Sequence, residues 1–455
     1  MPSKHPNIVM FAIDSIRRDH MSCYGYPRLT TPYLDQIAKK GTLIENSFSA
    51  YIPTTPAYSS ILTGRDVFST RMVSLGPKSP LDKKQPTMPE ILRKAGYVST
   101  CVGFDGGFYR GFDQYLTFEG WPSWEDRPAR KAENLNAVAV PALEKMSKPG
   151  KPFLLFLRHM DPHAPYLPPP PYDHMFYSKD PCDKRVNTMK PVFAFKPFGD
   201  FHSSWMPPGC TDKDYVIAQY DGEVAYMDAC IQRIITRIEE LGLVDNTLIV
   251  VTGDHGETLY DHEVYFDHHG LYEPTLVVPL FFCWPGKIAA GVRSKAYTLH
   301  EDLLPTVLDI CGLQKYAKGV KFDGVSTVPY FTESVGSITP EVAVGSPRSE
   351  FYISECTWMR KQGWRTPHWK FWQALEPDFH HKPPIELYDL IEDPTESNNL
   401  ADKRPEVVKF MRDRMNAWIE KRCKETKKPN PILEYKIGKD KYIGSIASAK
   451  KLQAR

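Results

Sequence analysis

The chain is organised by apolar runs that end abruptly in chemically active residues. Residues 7–13 (N-I-V-M-F-A-I) stop at Asp14, residues 151–157 stop at R-H-M-D-P-H, and residues 246–252 stop at G-D-H-G-E. A run without hydrophobic–polar alternation reads as a strand buried on both faces, and such strands belong to parallel sheets covered by helices on both sides. A fourth run, 279–284, has the same character. Helical patterns lie between the runs, at 31–41, 89–96 and 220–241. In the longest, Val224, Met227, Ile231, Ile234 and Ile235 share one face. The expected fold is a layered α/β/α arrangement with a large, mostly parallel sheet over residues 1–345. Sheets of this kind bind ligands outside the carboxyl ends of their strands. Asp14, His163 and Asp254 fall there.

Beyond residue 345 the pattern changes. Residues 370–375 and 386–390 read as strands of a small antiparallel sheet, and 405–421 as an amphipathic helix able to cover it. A C-terminal α+β subdomain is expected over 346–435. The basic segment 436–455 is expected to be a tail or an oligomer arm, which makes a homo-oligomer the expected assembly. Between 163 and about 210 the sequence is rich in proline, aromatics and charge. It reads as a long loop or lid rather than core.

One more stretch carries chemistry: residues 51–65, Y-I-P-T-T-P-A-Y-S-S-I-L-T-G-R. Thr55 followed by Pro56 is a helix start signal, Tyr58, Ile61 and Leu62 share a face, and Gly64 suits a left-handed end. The Thr54 hydroxyl then sits at a helix mouth, where free N–H groups favour an anion. Thr-Thr-Pro before a helix is usually plain capping. Its company gives it weight. Asp14, Asp254 and His255 offer hard and borderline ligands from rigid strand ends, as a divalent metal requires. His163, with prolines on both sides, is held for proton transfer or anion contact. His268 and His269 are adjacent imidazoles suited to a second metal or to an oxyanion. Each also has an ordinary role open to it, such as a strand-end carboxylate for Asp14 or a loop-bonded imidazole for His163. Asp19 and His20 read as structural.

Composition excludes some partners. Lys+Arg of 57 against Asp+Glu of 55 leaves no charge excess to draw the chain to nucleic acid or a membrane surface. No apolar run approaches the roughly 18 residues that span a bilayer. Nine cysteines are scattered without a C-x-x-C pair, which implies free thiols and a cytoplasmic setting.

Taken together, residues 7–26, 31–34, 54–64, 161–166, 220–228, 245–257, 270–279, 302–313 and 386–400 resemble the sulfatase-type branch of the alkaline phosphatase superfamily. Sulfatases carry C-x-P-S-R-x-x-x-L-T-G at the helix start and oxidise that Cys to formylglycine. Here the aligned residue is Thr54, Ala57 and Tyr58 replace the Ser and Arg, and Gly103-Phe-Asp-Gly replaces Gly-Lys-Trp-His. The resemblance implies a metal site of Asp14, Thr54, Asp254 and His255, with Ser15 where many sulfatases have a second Asp. It makes His163 the catalytic histidine and places His268 at or beside a substrate-binding lysine position. Tyr58, Arg65 and His269 are expected to line the substrate.

A Thr alkoxide cannot release its product by collapsing to an aldehyde, so water must attack the central atom of a covalent intermediate. Phosphoryl and phosphonyl groups accept that second displacement. The expected activity is therefore hydrolysis of small anionic phosphate or phosphonate esters, diesters slightly favoured and with some promiscuity, through a Thr54 intermediate. The expected cofactor is one Mn²⁺, Zn²⁺ or Ca²⁺ ion, with a second ion left open. Sulfatase activity without formylglycine, and a non-catalytic binding protein on the same fold, are the alternatives.

Overall fold

The structure is a computed structural model and describes residues 5–103, 110–120, 127–148, 150–196, 198–331, 347–378 and 380–436. Eight strands form the main sheet, in the order Val292–Leu299, Thr42–Phe48, Leu280–Cys283, Thr247–Gly253, Asn7–Ile13, Phe153–His159, Val98–Val102, Gln114–Leu116. Every neighbouring pair is parallel except the two made by Leu280–Cys283. The apolar run of Asn7–Ile13 is buried along its whole length. Val9, Phe11 and Ile13 face the helices Lys131–Ser147 and Lys213–Glu240. Ile8, Met10 and Ala12 face the helices Thr54–Thr63 and Leu303–Ile310. Both faces of the strand are core, as its lack of alternation requires.

A second sheet has the order Ile385–Asp389, Trp369–Ala374, Arg360–Arg365, Phe351–Cys356, Tyr51–Ile52. Its first four strands are antiparallel. Tyr51–Ile52 joins the edge in parallel, opposite Ser354 and Glu355. The helix Pro405–Thr426 covers this sheet with Val408, Met411 and Met415.

Three expectations need correction. The strand expected at 151–157 is Phe153–His159, because Pro152 has no N–H to give a ladder and pairing with Asn7–Ile13 continues to His159. The segment from 163 to 210 is not a lid without core. It holds the helices Lys190–Ala194 and Phe198–Trp205, and it buries Tyr166, Leu167, Met189, Val192 and Trp205. Tyr166 packs edge-on against Trp205 and Tyr220, which gives this proline-rich stretch an apolar anchor. The longest helix starts at Lys213 rather than 220, capped by the Asp212 carboxylate on the Asp214 N–H at 3.0 Å. The basic tail beyond Lys436 and residues 332–346, ahead of the second sheet, lie outside the described residues. All nine cysteines are free thiols. No helix among the described residues is long and apolar enough to cross a membrane.

Candidate active site

The three adjacent strands Thr247–Gly253, Asn7–Ile13 and Phe153–His159 run parallel, so their carboxyl ends open at one edge of the sheet. Asp14 and Asp254 follow two of these strands directly, and Asp161 and His163 follow the third. The ladder continues one step past each strand: the Asp14 N–H donates to the His159 carbonyl and the Asp254 N–H to the Ile13 carbonyl, at 3.0 and 3.2 Å. Both aspartates are fully buried. Ser15 takes a left-handed φ of 57°, a conformation costing about 1–2 kcal/mol for a non-glycine residue, and its N–H then donates to Asp254 Oδ1 at 3.0 Å. The second glycine of G-D-H-G is fixed by space, since a Cβ at Gly256 would meet the Pro274 carbonyl oxygen at 1.9 Å.

The helix carrying Thr54 starts one residue earlier than the capping signal implies. Pro53 is its N-cap and Thr54 its first residue, because the Thr55 hydroxyl donates outward to the Leu75 carbonyl at 2.9 Å instead of capping. Gly64 ends it with φ 65°. The first-turn N–H groups of Thr54 and Thr55 have no intrahelical acceptor, and Pro56 has no N–H. Thr54 Oγ1 lies 3.1 Å from His255 Nε2. The His255 Nδ1 is 2.9 Å from the Gly256 carbonyl, which can only accept, so Nδ1 carries the proton and Nε2 accepts from the Thr54 hydroxyl. Burial, above all, takes the His255 pKa down to about 4, so the ring is neutral. A hydroxyl at a helix mouth bonded to a neutral imidazole is open to activation by it.

A residue that sequence reasoning passed over completes the centre. Arg158, on the last turn of its strand's pleat, places Nε 2.9 and 3.0 Å from the two Asp14 oxygens, and its Nη2 donates to Oδ2. Burial alone would raise the Asp14 pKa, but the Arg158 guanidinium holds it below the usual carboxylate range. Tyr58 is fully buried and its hydroxyl donates to Asp14 Oδ1. It therefore supports Asp14 from behind instead of lining the substrate. Arg158 also stacks its guanidinium over the Tyr58 ring, 5.2 Å from the centroid.

The histidines form a chain leading away from Thr54. The His268 ring stacks on His255 at 4.5 Å, and His163 lies 5.8 Å from His268. Burial takes His163 to about 4 and His268 to about 3. His163 Nδ1 bonds the Ala164 carbonyl at 2.8 Å. Its turn is braced by Lys131, whose buried Nζ is 3.1 Å from both Asp161 and Glu223 and donates to the His163 carbonyl at 2.8 Å. His269 is turned the other way: Nδ1 is 3.0 Å from His380 Nε2, beneath the C-terminal segment. Arg65 is also off the centre. It follows the Thr54 helix at its far end, about 15 Å along the axis from Thr54, and lines a separate cavity with Asp323 and Arg422. As expected, His20 and Asp19 are structural: His20 bonds Asp221 at 2.7 Å and Asp19 pairs with Arg17.

Residues 6–313 match the family described as Sulfatase. The chain belongs to the sulfatase family. Residues 261–421 also match the C-terminal region of N-sulphoglucosamine sulphohydrolase. This member of the family is 25% identical to the N-acetylglucosamine-6-O-sulfatase of Bacteroides thetaiotaomicron, over 94% of this chain and 88% of that one. It is 24% identical to the multifunctional alkaline phosphatase superfamily protein PehA of Trinickia caryophylli, over 90% and 93%. The phosphonate monoester hydrolase of Agrobacterium radiobacter shares its fold, with a TM-score of 0.71 at 22% identity over 92% and 96% of the two chains. Membership makes the chain an ester-hydrolysing enzyme.

Enzymes of this superfamily depend on a metal. The donors here fit one. Asp254 Oδ2 is buried with no hydrogen-bond partner, and burial followed by the Asp14 charge pushes its pKa well up, a state that a cation would relieve. His255 Nε2 faces the same hydroxyl, and Thr54 Oγ1 completes a third donor. The Asp14 carboxylate, held by Arg158, acts on Asp254 by its charge.

Proposed function

We propose that this enzyme hydrolyses phosphate or phosphonate esters, diesters preferentially, through a covalent Thr54 intermediate. The observation that carries the reading is the Thr54 hydroxyl, donating to a neutral His255 at the mouth of a buried helix where a sulfatase has its convertible Cys. A divalent ion held by Asp14, Thr54, Asp254 and the Nε2 of His255 would replace the Thr54–His255 hydrogen bond, lower the hydroxyl's pKa so that its proton passes to solvent, and offset charge on the transferring group. The Thr54 and Thr55 N–H groups receive the equatorial oxygens. Thr54 Oγ1 forms the new bond to phosphorus as the bond to the leaving alcohol breaks. Water then attacks phosphorus, the bond to Oγ1 breaks, and the threonine is regenerated. His163 and His268 are neutral without a ligand, and an anionic ester between them raises their proton affinity, so one of them delivers the proton taken up by the leaving oxygen. Diesters suit the site because its guanidinium is committed to Asp14, which leaves little spare positive charge for a dianion.

The test is a panel of aryl phosphodiester, phosphonate monoester, phosphomonoester and sulfate ester, with wild type and Thr54→Ala. Turnover highest on the diester or phosphonate, and lost by about 10³-fold or more in the variant, supports the reading. Wild-type rates in the variant overturn the nucleophile. A second reading, sulfate ester hydrolysis by Thr54 itself, is favoured by the match to the sulphohydrolase C-terminal region. Sulfate release exceeding phosphate release would establish it.

A further inference from the structure

We infer that Glu257, Asp267 and His268 form a second divalent-cation site, adjoining the Thr54–His255 pair. The inference deepens the phosphoester reading and rests on it for its catalytic meaning, though not for its test. One donor atom from each of the three residues lies within 4.8 Å of the other two. Glu257 is 1% exposed and its Oε1 has no hydrogen-bond partner. The buried Ser15 and Tyr166 hydroxyls face this carboxyl. Among the described residues neither Glu257 nor Asp267 pairs with a lysine or arginine. Asp267 Oδ1 accepts from the His268 backbone N–H at 2.8 Å, and its ion-pair contacts are with imidazoles, His268 Nδ1 at 3.3 Å and His269 Nε2 at 3.5 Å. A buried carboxyl at Glu257 beside the half-buried Asp267 carboxylate, with no lysine or arginine on either, is an arrangement that a cation would relieve. Carboxylate, carboxylate and imidazole is a ligand set for Mn²⁺ or Zn²⁺.

The local backbone supports a fixed site. Glu257 follows Gly256, whose N–H donates to the Thr275 carbonyl at 2.9 Å. Asp267 ends the short strand Tyr265–Asp267, which pairs with Thr258–Leu259 next to Glu257. The two carboxylates are thus brought together by one two-stranded ribbon. His268 is its third ligand and also the ring stacked on His255. A cation here adds positive charge beside His268 and the His255 ring on which it stacks. With this ion bound the site accepts the phosphomonoester dianion in addition to diesters; without it the diester preference stands.

The experiment is metal stoichiometry and calorimetric titration of the full chain with MnCl₂ and ZnCl₂, for wild type, Glu257→Gln, Asp267→Asn and Asp254→Asn. Two equivalents in wild type and one in each variant are expected. Glu257→Gln should also unfold at a higher temperature than wild type in EDTA, because it removes an unpaired buried carboxyl, and gain less from added Mn²⁺. A single equivalent in wild type, kept by Glu257→Gln and Asp267→Asn and lost by Asp254→Asn, overturns the second site and leaves the Thr54 reading intact. Two equivalents with no phosphoester turnover support the second site and overturn the Thr54 reading.

Discussion

Replacing Arg158 by methionine separates the guanidinium's effect from its bulk. In wild type, three donor contacts from this side chain neutralise a fully buried Asp14. Removing one partner of a buried ion pair costs about 3–5 kcal/mol, because the other charge is left uncompensated. That loss should appear in full in EDTA. A divalent ion offers Asp14 another partner, and the freed carboxylate attracts it more strongly. At an effective dielectric near 20, unit charges about 4 Å apart interact by about 4 kcal/mol, so even a quarter of that raises Mn²⁺ affinity several-fold. Denaturant unfolding in EDTA and in saturating Mn²⁺, with calorimetry for affinity, reads both quantities. Arg158→Met should be destabilised in EDTA by about 3–5 kcal/mol, recover most of it in Mn²⁺, and bind the ion several-fold more tightly. A variant as stable as wild type in EDTA, with unchanged Mn²⁺ affinity, would refute the view that Arg158 and the ion share Asp14.

Other outcomes follow from the same geometry. Gly103→Val should disturb Arg158 indirectly, since even a Cβ there comes within 3.2 Å of the arginine Cβ, and should weaken turnover with a milder stability loss; steady-state kinetics beside thermal melts checks this. Lys131→Met strands Asp161 and Glu223 and should cost about 3–5 kcal/mol in urea unfolding, with kcat falling as the His163 turn loosens. Burial pushes the Asp228 carboxyl up to about 7 against two backbone N–H donors from Tyr33 and Leu34. The folded state then binds the extra proton, so this contribution is complete below about pH 4 and is lost as pH rises towards 7. Asp228→Asn should flatten that slope, at most about 1.4 kcal/mol per pH unit, in a series of urea midpoints.

The parts of the fold and site that could be read from sequence are those fixed by local rules. Uninterrupted apolar runs mark strands buried on both faces, and the residues ending them are delivered to the sheet's open edge. That is why Asp14, Asp254, His255 and His163 stood out. Arg158 did not, because it reads as the first residue beyond a strand, and its partner is 144 positions away. Lys131 opens a helix and looks like a solvated terminus, yet it is buried among two carboxylates from distant segments. Tyr58 was legible as an inward-facing ring, but not its hydroxyl's bond to Asp14. Arg65 shows the opposite failure: nearness in sequence to Thr54 carried no nearness in space, since a whole helix separates them.

The pairing of Tyr51–Ile52 with Phe351–Cys356 has a consequence for how this enzyme can be taken apart. The two residues immediately before Pro53 and Thr54 are an edge strand of the second sheet. The Gly270 N–H reaches the same sheet through Glu355, at 3.1 Å. The helix carrying Thr54 and the loop after His269 are thus both moored to strands some 300 and 85 positions away. A chimera that exchanges the C-terminal sheet at a single crossover would import foreign moorings for the reacting centre. Substrate range and catalytic rate should therefore travel together in such exchanges, and a graft that leaves rate intact will have to carry residues 51–52 along with it.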